Sequence, residues 1–584
     1  MKDVINIVRK VSSAINPKKL ASALNLRKVS SSLNLKKAIR EKRSIKDGLR
    51  RNPALRCSRE HDEPDTTKPV TELDILRYRY QHGVNLGGIF VLEQFFQPHM
   101  FQGCELDSEN EAVMHSIKVR GLEATKKMWE DHWASALSDG EIEHLANVVH
   151  CTAVRIPIGH WTIQKLWHWM RRTEDNNGEQ VSVMDVYENA WTALMNICTR
   201  LHAAGIGSLI DLHGFGANRE PHSGSISRNA TIWELDWSNE TEVPGDNIVE
   251  TIGLYLTGKS VRGLTTRIPG CVGYSICNEA GRNARGVYDF YTLMIGRISE
   301  MDPTLPIYIS DAADLEKTIR WLAPQTANMN DNVCPVIIDT HRYYCFSEHN
   351  KRMSPPQIVG MVLRELDEIA PLKGEVLTKG AIDVIVGEWS CAMHERTWGR
   401  VTEAARVHHR NEFGIRQLET WRERTAGHYF WMLKSEGEWD FFEQHRLGNI
   451  HAPRFLRLSN VQVSTRTDNA MMQKTLNLDQ AMRDHIKYCT RTEPTETGWE
   501  HERYKTGWLQ GWQDCMDFFR ARLDGTIRGA KCGADRIGCL DSWIVKRMRE
   551  SGQSGPWLWE WEHGFRKGVQ DCERTTTYPE DSVG

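Results

Sequence analysis

A closed parallel barrel of eight strands with helical crossovers, extended at both ends by segments of another kind, is the architecture this 584-residue sequence predicts. Three observations lead there. From about Gln81, eight short β-rich runs alternate with longer stretches that suit amphipathic helices; nearly every run ends in a polar or aromatic residue; and the charge balance of the first 56 residues differs from that of the rest. The length exceeds what one hydrophobic core usually organises, so added segments are expected. The class is α/β: a (β/α)8 barrel of the TIM type over 80–457, a basic arm over 1–79 and a helical, Trp-rich C-terminal extension over 458–584.

The arm is set apart by its charge. Its first 56 residues hold sixteen Lys/Arg against three Asp/Glu, +13 in a chain whose total is −3, which leaves −16 for the rest. A nine-residue repeat, "VSSAINPKK", "LASALNLRK", "VSSSLNLKK", fills 11–37. Nine residues make two and a half helical turns, so successive copies face opposite sides and sustain no apolar stripe. Composition favours a disordered, solvated arm, with weak contact to anionic membranes as the second reading and no nucleic-acid partner expected. Nothing before Tyr80 resembles the apolar core of a secretion signal, so an intracellular, cytoplasmic protein is expected, with an organellar transit peptide as the weaker option. Fourteen cysteines without a C-x-x-C pair read as reduced thiols, with Cys151, Cys277 and Cys334 in the core, and no zinc site is expected. Nothing in the sequence sets an oligomeric state.

The eight runs, in order, are "GVNLGGIFVLE", "TAVRIPIGH", "GSLIDLHG", "VGYSICNEA", "PIYISDA", "PVIIDTHRYY", "DVIVGEWS" and "GHYFWMLKS". Near-continuous apolar strands separated by helices are what a parallel sheet covered on both faces requires. The span is longer than the fold's usual length, so large βα loops are expected, with 167–183 and 218–246 as candidates. In this fold chemistry sits where strands end. Arg155 belongs to the second strand, His213 to the third, Asn278 and Glu279 to the fourth, His341 and Tyr343 to the sixth, Glu388 to the seventh and Trp431 to the eighth. Any one of these is explained as a solvated or paired residue. All of them at one mouth are not, because charged groups placed inward are costly to desolvate without a purpose.

Two carboxylates at one mouth suggest glycoside hydrolysis. In a retaining mechanism one protonates the leaving oxygen and the other attacks the anomeric carbon, with about 5–5.5 Å between them. Strands four and seven lie on different sides of the ring, which suits Glu279 and Glu388. Glu279 then needs a raised pKa to hold its proton, while Arg155 and Tyr343 are available to keep Glu388 ionised.

From Tyr80 to Gln444 these motifs, together with "GVNLGGIFVLEQFFQPHMF" and "HWASALSDGEIEHLA", resemble in order those of fungal exo-β-1,3-glucanases of glycoside hydrolase family five. The resemblance implies a retaining hydrolase of β-1,3-glucan or a related β-glucoside. It makes Glu279 the acid/base and Glu388 the nucleophile, and places Asn278 on the sugar 2-hydroxyl. Arg155, His213, His341 and Tyr343 become the supporting shell, Trp431 an aromatic platform and Glu93 a carboxylate that binds sugar hydroxyls. It implies neither metal nor cofactor. Three departures bear on the substrate. The loop after His213 reads "FGANREPHSGS", without the Asp that the secreted enzymes carry before Asn-Ser-Gly; Asn-Glu-Pro has become Asn-Glu-Ala at Ala280; and the arm stands where those enzymes have a signal. A barrel that binds carbohydrate without turnover is the alternative. Acyl transfer is disfavoured, because no Gly-x-Ser-x-Gly elbow accompanies the histidines.

The extension contains a second repeat, "GWLQGWQDC" from Gly507 and "GFRKGVQDC" from Gly564. Glycines at i and i+4 share a helix face and permit close approach, so two helices are predicted to pack through Gly507/Gly511 and Gly564/Gly568. Trp499, Trp508, Trp512, Trp557, Trp559 and Trp561 are expected in the core of that appendage rather than on sugars.

Overall fold

Eight strands, each next to its neighbour in sequence, close into a parallel barrel: β1 (Gln81–Asn85), β2 (Ala153–Gly159), β3 (Gly207–Gly214), β4 (Cys271–Ser275), β5 (Ile307–Ser310), β6 (Val336–Arg342), β7 (Asp383–Trp389) and β8 (Gly427–Phe430), with β8 pairing back onto β1. The computed structural model describes residues 68–105, 108–162, 172–214, 268–282, 286–327, 333–493, 496 and 498–576. The basic arm with its repeat up to residue 67, the loop after His213 and the 218–246 insertion lie outside the described residues. Of the other predicted loop, residues 172–182 form a small antiparallel hairpin beside the barrel.

The strands are buried along nearly their whole length because helices cover the outside and side chains fill the inside. Helix starts follow local chemistry: Thr71 with Asp74 and Ser138 with Glu141 make capping boxes that satisfy the first free N–H groups. Register fixes what meets at the mouth. Asn85 on β1 pairs with Arg155 on β2, and His341 on β6 with Glu388 on β7.

The opposite end of the barrel is closed by the C-terminal helices. After α1 (Glu72–Tyr78) and the barrel come α2 (Asn460–Thr492), α3 (His501–Arg520), α4 (Leu540–Ser551) and α5 (Leu558–Thr576). Ala153, Leu209, Tyr308, Ile337 and Tyr429 of the strands share one apolar cluster with Trp508, Trp512, Trp543 and Trp561. Polar contacts reinforce it: the N–H groups of Asp541 and Ser542, at the start of α4, donate to the Asp383 carboxylate that opens β7, at 3.3 and 2.8 Å. Burial and the neighbouring Asp541 raise the Asp383 pKa to about 6. Arg522 grips Asp535 with two hydrogen bonds of 2.8 and 2.9 Å, and Arg79 meets the same carboxylate at 3.5 Å.

Helices α3 and α5 cross at the repeated glycines. A Cβ at Gly507 or Gly511 would fall on the carbonyls of Trp561 and Phe565, and one at Gly564 or Gly568 on those of Tyr504 and Trp508. Trp508, Trp512 and Trp561 are fully buried there, while Trp499, Trp557 and Trp559 are half-buried and touch one another. All thirteen described cysteines are free thiols, among them the buried Cys151, Cys277 and Cys334. Among the described residues no helix is long and apolar enough to cross a membrane.

Candidate active site

Arg155 is the hub of the mouth. Its guanidinium is fully buried, and five groups on or just after five of the strands surround it. Nη1 donates to Asn85 Oδ1 and Glu388 Oε1, both at 3.0 Å. Nη2 donates to Asn278 Oδ1 at 2.8 Å and meets Asp211 Oδ2 at 3.1 Å, and Nε lies 3.5 Å from Asp339 Oδ2. Burial opposes its charge, but the three carboxylates outweigh burial and raise its pKa further.

Two strands carry the same device. On β3 and β6 an Asp and a His stand two residues apart, so both point to the barrel interior. Asp211 Oδ2 accepts from His213 Nδ1 at 2.9 Å, and Asp339 Oδ1 lies 3.7 Å from His341 Nε2. Burial works against the imidazolium in both cases; these carboxylates and Glu388 reverse it, raising His213 and taking His341 well above its ordinary value. The His213 ring stacks on Trp431, centroids 5.5 Å apart and planes at 12°. Trp431 is buried and also meets Phe96, which brings the turn from Glu93 to Gln97 to the same rim, with Glu93 half-buried.

Glu388 and Glu279 occupy unlike settings. Glu388 is buried; one oxygen takes Arg155 and the other accepts from the Tyr343 hydroxyl at 2.8 Å. The Glu279 side chain is 47% exposed, follows β4 at a left-handed φ of 41°, and accepts from His341 Nδ1 at 2.9 Å. A non-glycine residue in that conformation costs on the order of 1–3 kcal/mol and persists where its surroundings fix it. The same His341 nitrogen is 3.6 Å from Glu388 Oε2, and oxygens of the two carboxylates come within 4.8 Å of one another.

One expectation is overturned. Glu279 does not have a raised pKa in the free protein. Desolvation pushes its carboxyl up, but the hydrogen bond and charge of His341, helped by His213 and Arg155, outweigh that and bring it to about 2. The proton of the pair therefore sits on the imidazole.

Arg155, His213, Asn278, Glu279, His341, Tyr343, Glu388 and Trp431 thus gather at one mouth, with Glu93 at its rim. Asn85, Asp211 and Asp339 were not singled out from the sequence. A usable signal was present for the last two: "IDLHG" and "IDTHR" both place Asp two residues before an inward His. Glu279, His341 and Glu388 are close enough to be metal donors, yet both Glu388 oxygens already accept from Arg155 and Tyr343.

A family model described as the Glucan 1,3-beta-glucosidase 3 C-terminal domain matches residues 470–576. The Glucan 1,3-beta-glucosidase 3 of Schizosaccharomyces pombe is 27% identical over 532 residues, covering 86% of this chain and 97% of its own length. An uncharacterized glycosyl hydrolase of Saccharomyces cerevisiae is 26% identical over 527 residues, covering 87% and 94%. Among solved structures, a rutinosidase from Aspergillus niger superimposes with a TM-score of 0.44 at 17% identity, over 64% of this chain and 99% of that one. The protein is a glycoside hydrolase of the (β/α)8 barrel class. Over most of its length it is similar to the glucan 1,3-beta-glucosidases, and residues 470–576 match the C-terminal domain described for one of them.

Proposed function

We propose that this chain is a retaining β-glucosidase acting by double displacement, exo-acting on β-1,3-glucan or a related β-glucoside. The observation that carries the reading is the approach of the Glu279 and Glu388 oxygens within 4.8 Å in unlike surroundings. That close approach suits direct attack by one carboxylate better than the wider gap of an inverting enzyme. The names of the relatives support the glucan as substrate.

A Glu388 oxygen attacks the anomeric carbon as the bond to the leaving oxygen breaks, and the leaving oxygen takes a proton from Glu279. Water then loses a proton to Glu279 and displaces Glu388, restoring the β configuration. The proton comes from the His341–Glu279 pair. A sugar filling the mouth removes water from the half-exposed Glu279, and desolvation favours the uncharged pair, with the proton on the carboxyl, over the ion pair. Asn278, fixed by Arg155, presents its amide to the sugar 2-hydroxyl.

A second reading, a barrel that binds sugar without turnover, draws on the low Glu279 pKa in the free protein. Assay of purified protein on aryl β-glucosides and β-1,3-glucan, with Glu388→Gln as the blank, separates the two. Hydrolysis by the wild type that falls by several orders of magnitude in the variant is expected. Binding of the glucan with no activity above the blank would favour the second reading.

A further inference from the structure

The C-terminal helices hold a second cluster of reactive side chains, far in sequence from the mouth. His485 and Cys489, one helical turn apart on α2, His501 at the start of α3 and Glu560 in the first turn of α5 each bring one donor atom to the same point, all four within 4.8 Å of one another. Glu560 and Cys489 are wholly buried, and His485 nearly so. Glu560 Oε1 is held by the Glu500 N–H at 2.8 Å. Oε2 faces both imidazoles, His485 Nε2 at 2.8 Å and His501 Nδ1 at 3.0 Å, and the Cys489 sulfur lies 3.6 Å from that same His485 nitrogen.

We infer that His485, Cys489, His501 and Glu560 form a structural site for one divalent ion of the zinc class. Two imidazoles, a thiolate and a carboxylate are a donor set that zinc takes in tetrahedral geometry. With metal–ligand distances of about 2.0–2.3 Å, donors in such a tetrahedron stand roughly 3.3–3.7 Å apart, so these atoms need to move by less than about 1 Å. Binding releases the Cys489 thiol proton and any imidazolium proton. The ion's two positive charges then match the thiolate and the carboxylate, leaving a neutral buried centre. Glu500 fixes the outer oxygen of the carboxylate, as the surroundings of metal-bound carboxylates commonly do. A surface groove of about 780 Å³, whose wall includes His485 and Tyr504, opens beside the cluster.

The fold supplies a reason for such a staple. Only five of the 33 residues of α2 are buried, and His485 and Cys489 are two of them, while Met472 and Leu476 on the same helix are largely exposed. Apolar packing alone therefore holds α2 weakly, and one ion ties it to α3 and α5.

The test uses the full-length chain. Exposed to excess zinc chloride and desalted, it is expected to retain one zinc per chain by elemental analysis. Exchange with Co²⁺ is expected to give the visible bands of a tetrahedral ion together with a near-ultraviolet thiolate-to-cobalt charge-transfer band. Cys489→Ser should lose that band, and His501→Ala should weaken retention about tenfold or more. His408, His409 and Glu412 form another, more exposed donor group without a thiol, so the charge-transfer band tells the two apart. Failure to retain metal, metal retained without the thiolate band, or a band unchanged in Cys489→Ser would each overturn the assignment. Should the variants fail to fold, the wild-type cobalt spectrum decides alone.

Discussion

Arg155 and Tyr343 occupy both oxygens of Glu388, whereas Glu279 gives one oxygen to His341 and keeps almost half of its side chain in solvent. The division of labour between two identical side chains rests on these partners. On the proposed mechanism, replacing Glu279 by Gln removes the proton donor while keeping the shape. Hydrolysis of glucosides with poor leaving groups should then fall by about 10²–10⁴, and that of activated aryl glucosides, which need no protonation of the leaving oxygen, far less. Equal losses on both, measured as kcat/KM, would contradict the role. His341 makes a separate prediction about pH. Because its pKa is raised well above the ordinary histidine value, the pair keeps its proton to high pH, and the alkaline limb of the wild-type kcat/KM profile should lie well above pH 6.5. His341→Asn forces Glu279 to hold the proton alone, which moves that limb to lower pH and reduces kcat. A limb that stays in place would remove His341 from the proton path.

At the scale of elements, what could be read depended on whether the signal was local. The glycine repeat was legible because spacing of four on a helix fixes a face, and α3 and α5 do cross there. A methyl group at Gly564 would meet the Tyr504 carbonyl, part of a helix backbone that has nowhere to go. Gly564→Ala should therefore destabilise the protein by about 1–3 kcal/mol, read as a lower urea midpoint with an unchanged slope. An unchanged midpoint would mean that the crossing is looser than described. The Asp–His spacing on β3 and β6 was equally local but carries meaning only once Arg155 is seen to need counter-charges. The donor cluster of α2, α3 and α5 has no C-x-x-C spacing to mark it; its one local clue is a His and a Cys one helical turn apart, in "HIKYC".

Among the described residues, the gathered carboxylates and the C-terminal helices stand at opposite ends of one barrel. Strand ends gather Glu279 and Glu388 at the mouth, and the C-terminal helices seal the far end through Asp383, Arg79 and Asp535. The barrel was legible in the sequence because strands covered on both faces leave unmistakable apolar runs, nearly every one ending in a polar or aromatic residue. The titration of Glu279 was not, since it turns on a 2.9 Å contact with a residue 62 positions away. The separation of the two carboxylates is likewise a property of the closed ring, set by where β4 and β7 end across it. It determines the stereochemistry of the product, and proton NMR of the first sugar released from a β-glucoside, recorded before mutarotation, measures that outcome directly. Two displacements at one carbon predict a β-anomeric signal that only later decays to the equilibrium mixture; an α-anomeric signal from the outset would contradict the pairing of Glu279 with Glu388.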